Sequence, residues 1–210
     1  MTTLAPAAHR PAVLADTLIP RPTSTAAAWV HTGALIVAGA TFTALLARVE
    51  VPMWPVPITG QTLAVLLVGA TLGARRGGAA MVTYLLAGLA GLPVFAGGTG
   101  SLAAIATPSF GYIIGFIPAA ALIGYLAEHH WDRRPLLATA GFGLATILPF
   151  VFGVPYMGFV LGQTGIPVSF ALLMKYGVTP FLLGGAIKCA SAAVSLPLAW
   201  RLVGHPRSKK

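Results

Sequence analysis

The chain has 210 residues, of which 57% are hydrophobic and only 8% charged, with a formal net charge of +9. A soluble domain carries about 25% charged residues, and so few charges cannot cover a water-facing surface. Mean hydropathy is +0.85, and several apolar runs approach the roughly 20 residues that a spanning helix requires. These features exclude an ordinary soluble enzyme and predict an all-α, polytopic membrane protein. In the bilayer, backbone groups must be satisfied within the helix, and a β-barrel would show short alternating segments instead.

In chain order, residues 1–25 read as a flexible N-terminal arm. They are rich in Pro, Ala and Thr and lack the apolar core of a signal peptide. Residues 26–204 are expected to form a six-helix transmembrane domain, and 205–210 a basic C-terminal tail. The six spans are predicted at about 27–47, 59–73, 79–92, 110–127, 136–160 and 180–203. Between the first two, "RVEVPMWPVPI" reads as a rigid loop, because its prolines forbid regular helix. "ARRGG" reads as a tight turn between the second and third spans. "PVFAGGTGSLAAIATPS" is a Gly-rich connection, and "LGQTGIPVSFALLMKYGVT" is a long loop with a partial helix. Pro180 suits the first turn of the last helix.

The basic residues orient the chain. Arg10, Arg21, Arg75, Arg76, Arg133, Arg134, Arg201, Arg207, Lys209 and Lys210 fall on one side of the predicted topology. Arg48 and Lys175 fall on the other. Basic loops stay cytoplasmic, so both termini are expected inside a multi-pass protein of the plasma (inner) membrane. The same placement, in turns and tails, argues against nucleic acid as the partner of the positive charge. The long Pro- and Gly-rich loops then lie outside, which suggests an outward-facing site.

Lys188 lies within the last predicted span, where a charge costs about 3 kcal/mol. The chain has four acids, and none falls inside a predicted span. Lys188 therefore snorkels, reaches Glu50 in the first outer loop, sits neutral, or receives an anion or a polarised carbonyl from outside. Gly97, Gly98 and Gly100 could let backbone N–H groups approach a ligand closely. Ala40 and Ala44 form a small-xxx-small row suited either to packing inside the bundle or to contact with another membrane subunit. Cys189 is the only cysteine, so no intramolecular disulfide can form. The chain has no phosphate-binding G-x-x-x-x-G-K-[ST] motif and no metal-spaced cluster. No ATP site, metal or cofactor is expected, and enzyme chemistry is disfavoured.

Three stretches, "PVPITGQTLAVLLVGATLGARRG" (55–77), "YLLAGLAGLPVFAGGTG" (84–100) and "PFLLGGAIK" (180–188), resemble the BioY family. These are the biotin-specific substrate-capture subunits, or S components, of energy-coupling factor (ECF) transporters. The resemblance implies a six-helix bundle with biotin in an outward-facing pocket and Lys188 as its polar anchor. It implies close backbone approach at Gly97, Gly98 and Gly100, an aromatic or hydroxyl contact from Tyr112, and further contacts from Gln61 and Thr59. It also implies a transmembrane coupling subunit, contacted through Ala40 and Ala44, and two cytoplasmic ATPases. Family members often carry an acid three residues ahead of the lysine, a position held here by Gly185. Capture of a different small metabolite, a structural subunit that binds no solute, and transport without partners remain as alternatives.

Overall fold

The protein is described from a computed structural model covering residues 13–20 and 22–203. Eight α-helices run in chain order through these residues. They are α1 (Leu14–Leu18), α2 (Thr25–Leu46), α3 (Gln61–Leu72), α4 (Ala74–Leu89), α5 (Phe110–Glu128), α6 (Pro135–Gln163), α7 (Phe170–Gly177) and α8 (Thr179–Val203). Every predicted span coincides with a helix. Among the described residues, four stretches are long and apolar enough to cross a membrane: Thr25–Leu46, Phe110–Glu128, Pro135–Gln163 and Phe170–Val203. Helices α3 and α4 have only 12 and 16 residues and are not among these four.

Three local readings are corrected. The segment 48–59 is not wholly irregular, since β1 (Glu50–Val51) pairs antiparallel with β2 (Ile58–Thr59). Val51 precedes a proline and Ile58 follows one, and a residue before proline is pushed toward extended backbone. The "ARRGG" turn is instead the first turn of α4. The reversal is confined to Gly73, whose φ is +86°, a conformation that glycine adopts without a Cβ penalty. The Glu128 carboxylate accepts the Ala74 N–H at 2.9 Å and places negative charge at the N-terminus of α4. Finally, the stretch 1–25 is not all arm. Leu14 and Ala15 of α1 are buried, and Asp16 receives both Nη atoms of Arg76 at 2.9 and 3.0 Å, a bidentate pair. The tail at 205–210 lies outside the described residues.

Helix α5 is the centre of the bundle, packed against α3, α4 and α6. Small residues permit this closeness. A Cβ on Gly69 of α3 would stand 2.4 Å from the Ala120 carbonyl oxygen of α5, and one on Gly115 of α5 would stand 2.6 Å from Pro149 Cα of α6. In lipid, such close backbone approach supplies the packing that drives helices together. The Ala40–Ala44 row also turns inward. Ala40 is 8% exposed and belongs to one buried apolar cluster with Val68, Leu72 and Ala80, and Ala44 lies against the same cluster. Ala40 is thus buried within the chain, and Ala44 is half-buried.

At the end of the bundle that holds Arg76, Asp132 joins the α5–α6 turn to α8. It accepts a hydrogen bond from Trp200 Nε1 at 2.5 Å, while the Arg133 guanidinium lies 4.2 Å over the Trp200 ring. Burial pushes the Asp132 carboxyl above the usual carboxylate range, and the Trp200 hydrogen bond and Arg133 pull the other way. A carboxyl whose folded pKa is raised contributes most below the ordinary value of about 4. That contribution is lost as pH rises through the folded value. Asp132→Asn keeps an acceptor for Trp200 and removes the titration. Its unfolding temperature relative to the parent is therefore expected to climb between pH 4 and pH 7, as read by thermal unfolding in detergent; a pH-independent difference would refute the assignment.

Candidate ligand-binding site

A cavity opens at the opposite end of the bundle, between the β1–β2 hairpin, the loop 93–109, and helices α3, α5, α6 and α8. Beneath its open mouth it encloses about 110 Å³. One wall is aromatic. Tyr112 of α5, Phe150 of α6 and Phe181 of α8 all line it, with ring centroids 5.9–6.0 Å apart. Such offset and edge-to-face contacts hold rings in fixed orientation.

Lys188 also lines the cavity. Its Nζ donates to the Thr59 carbonyl at the end of β2, so it neither snorkels into lipid nor reaches Glu50. Each of the four acids is engaged elsewhere: Asp16 by Arg76, Glu128 by the Ala74 N–H, Asp132 by Trp200, and Glu50 by the Gly97 N–H at 2.8 Å. Among the described residues Lys188 thus has a backbone oxygen but no carboxylate beside it. One turn earlier, a Cβ on Gly185 would meet nothing nearer than Thr146 Cγ2 at 4.0 Å, so the cavity is open where an acid would fit.

Thr59 and Gln61 line the cavity with Lys188. The Thr59 hydroxyl donates to Gln61 Oε1 at 2.8 Å, and Gln61 Nε2 donates to the Tyr84 hydroxyl at 2.5 Å. The Tyr112 hydroxyl donates to the Gly177 carbonyl at 2.8 Å. Its one proton is therefore committed to the protein, and Tyr112 offers the cavity its ring.

Gly97, Gly98 and Gly100 are not lining residues; their neighbours Ala96 and Thr99 are. The glycines fold the loop instead. Gly97 and Gly98 have φ of +67° and +69°, and a Cβ on Gly98 would stand 2.2 Å from Arg48 Nη1. A Cβ on Gly100 would stand 1.8 Å from the Leu92 carbonyl oxygen. Arg48 in turn donates to the Pro93 carbonyl. Sequence reasoning missed Phe150, Phe181 and Thr146 as lining residues, along with Tyr84 behind the cavity. Phe181 and Tyr84 stand inside the motif stretches, but α6 carries no motif that could have marked Phe150 or Thr146.

The profile of the BioY family matches residues 20–205, nearly the whole chain. The chain belongs to the BioY family. This family member is 37% identical over 157 residues to the biotin transporter BioY of Rhizobium etli, covering 71% of this chain and 81% of that one. It is likewise 37% identical over 156 residues to the biotin transporter BioY of Thermotoga maritima, covering 73% and 88%. Among solved structures, it resembles the S-component for biotin from an ECF-type ABC transporter. The TM-score is 0.60 at 27% identity, over 84% of this chain and 94% of that one. Together with the four apolar helices, membership of a family of membrane transporters makes this BioY-family chain a membrane protein.

Proposed function

We propose that the protein is the biotin-capture subunit of an energy-coupling factor importer. It binds biotin at the outer face of the plasma membrane and delivers it inward together with a transmembrane coupling subunit and two cytoplasmic ATPases. In this reading the six longer helices form the membrane domain, with the short α3 packed within it, and both termini are cytoplasmic. The observation that carries the reading is Lys188, a cation inside an aromatic-walled cavity with no carboxylate beside it. An ammonium group so placed needs a polarised carbonyl or an anion as partner, and biotin carries both a ureido carbonyl and a carboxylate. Lys188, Gln61 and Thr59 are the polar contacts of the site, Tyr112 supplies ring surface, and Gly97, Gly98 and Gly100 shape the loop over the mouth. The names of the relatives support biotin as the ligand.

Calorimetric titration of the purified protein in detergent tests the proposal. Saturable binding of one biotin per chain is expected, with unlabelled vitamins of other classes failing to compete. Absence of biotin binding, or equal competition by an unrelated vitamin, would overturn it. Uptake assays with and without the coupling subunit and ATPases then test the partners, with accumulation expected only when all are present.

A further inference from the structure

Tyr84 is 1% exposed and does not line the cavity, yet it stands between Gln61, which does, and Val94 of the loop 93–109. Its hydroxyl donates to the Val94 carbonyl at 3.0 Å. A phenol has one proton, so toward Gln61 the Tyr84 oxygen can only accept. Gln61 must then present Nε2 to Tyr84 and turn Oε1 toward the Thr59 hydroxyl, which donates to it. The donations therefore run in one direction, from Thr59 through Gln61 and Tyr84 to Val94. Lys188 donates into the start of this chain through the Thr59 carbonyl. One N–H of the Gln61 amide remains for the cavity.

The ring of Tyr84 makes a second link. It meets Phe95 edge-on at 5.5 Å, and Phe95, 3% exposed, lines the cavity. A Cβ on Gly88 would stand 2.1 Å from Phe95 Cζ, so the Phe95 ring is seated against α4 at that glycine. Phe95 and Gly98 belong to the loop's own turn, through Phe95 N to Thr99 O at 2.9 Å and Gly98 N to Phe95 O at 3.1 Å.

We infer that Tyr84 is a positioning residue that fixes the orientation of the Gln61 amide and ties it to the loop 93–109, so that ligand contact at Gln61 and retention of the loop over the mouth are one event. The inference rests on the reading of biotin as the ligand.

Tyr84→Phe tests it with little change in packing, because it removes the hydroxyl and keeps the ring on Phe95. In the full chain in detergent, biotin dissociation is expected to quicken about tenfold, the scale of one buried hydrogen bond. Association should stay within about twofold, since binding changes of this kind fall mainly on the off-rate. Amide exchange at Phe95 and Gly98 should rise in the ligand-free variant. Combined with Gln61→Ala, the loss should be no greater than that of the larger single change, because both cut the same chain. Unchanged dissociation, or additive losses, would overturn the inference. If the parent protein binds no biotin, the biotin reading fails by itself and the exchange arm decides: unchanged exchange at Phe95 and Gly98 in Tyr84→Phe then overturns the coupling.

Discussion

Replacing Lys188 by Met is expected to weaken biotin binding by roughly ten- to a hundredfold while leaving the protein at least as stable as before. The binding loss follows from the loss of a charge-assisted hydrogen bond, worth about 1.5–3 kcal/mol, at about 1.4 kcal/mol per factor of ten. The stability expectation has the opposite sign. In the ligand-free protein the Lys188 ammonium has the Thr59 carbonyl as partner and no ion pair among the described residues. Methionine forfeits that charge-assisted hydrogen bond, about 1.5–3 kcal/mol, and removes a charge whose burial in the bilayer costs about 3 kcal/mol. The second quantity matches or exceeds the first. Binding by calorimetry and unfolding temperature in the same detergent therefore separate a ligand-binding lysine from a structural one. Unchanged affinity would remove Lys188 from the site, and a sharp fall in stability with it would make the residue a strut.

The second large effect concerns the bundle itself. Gly69→Ala is expected to cost about 1–3 kcal/mol, the usual range for overpacking, despite the gain of up to about 1 kcal/mol that alanine brings to a helix interior. The new methyl would stand 2.4 Å from the Ala120 carbonyl oxygen and 2.9 Å from Ala120 Cα. Backbone atoms cannot swing aside as a side chain can, so α3 and α5 must move apart. Gly78→Ala is the matched control. It lies in α4, and its methyl would meet only Ala121 Cβ at an ordinary 3.6 Å. There the helix-propensity gain should stand alone and the unfolding temperature should hold or rise. Equal unfolding temperatures for the two variants would refute the view that α3 and α5 meet at Gly69.

Lys188 shows how far a sequence can be read toward a site. A lone cation in an apolar run is conspicuous because its cost is large and the possible partners are few, so residue types alone marked the position, while its place at a cavity and its Thr59 partner came only from the fold. The motif glycines show the opposite limit. A G-G-x-G string announces an unusual backbone, but whether that backbone touches a ligand or packs against protein depends on what lies above it. Here Arg48, Glu50 and the end of α4 occupy that space. Ala40 makes the same point: a small residue is equally suited to packing within the bundle and to contact with another subunit, and only its neighbours decide.

Composition and hydropathy by themselves determined the membrane class, the positions of the six longer helices and the presence of a lone cation in the last of them. Each depends on a free energy set locally by residue type and by the bilayer. The tertiary structure alone decided that Gly73 makes the α3–α4 reversal, that Phe150 and Phe181 from separate helices join Tyr112 as one wall, and that Tyr84 closes a hydrogen-bond chain from Thr59 to Val94. Those outcomes depend on which residues distant in sequence come within a few ångströms of one another, and helix packing sets such distances only when the whole bundle assembles.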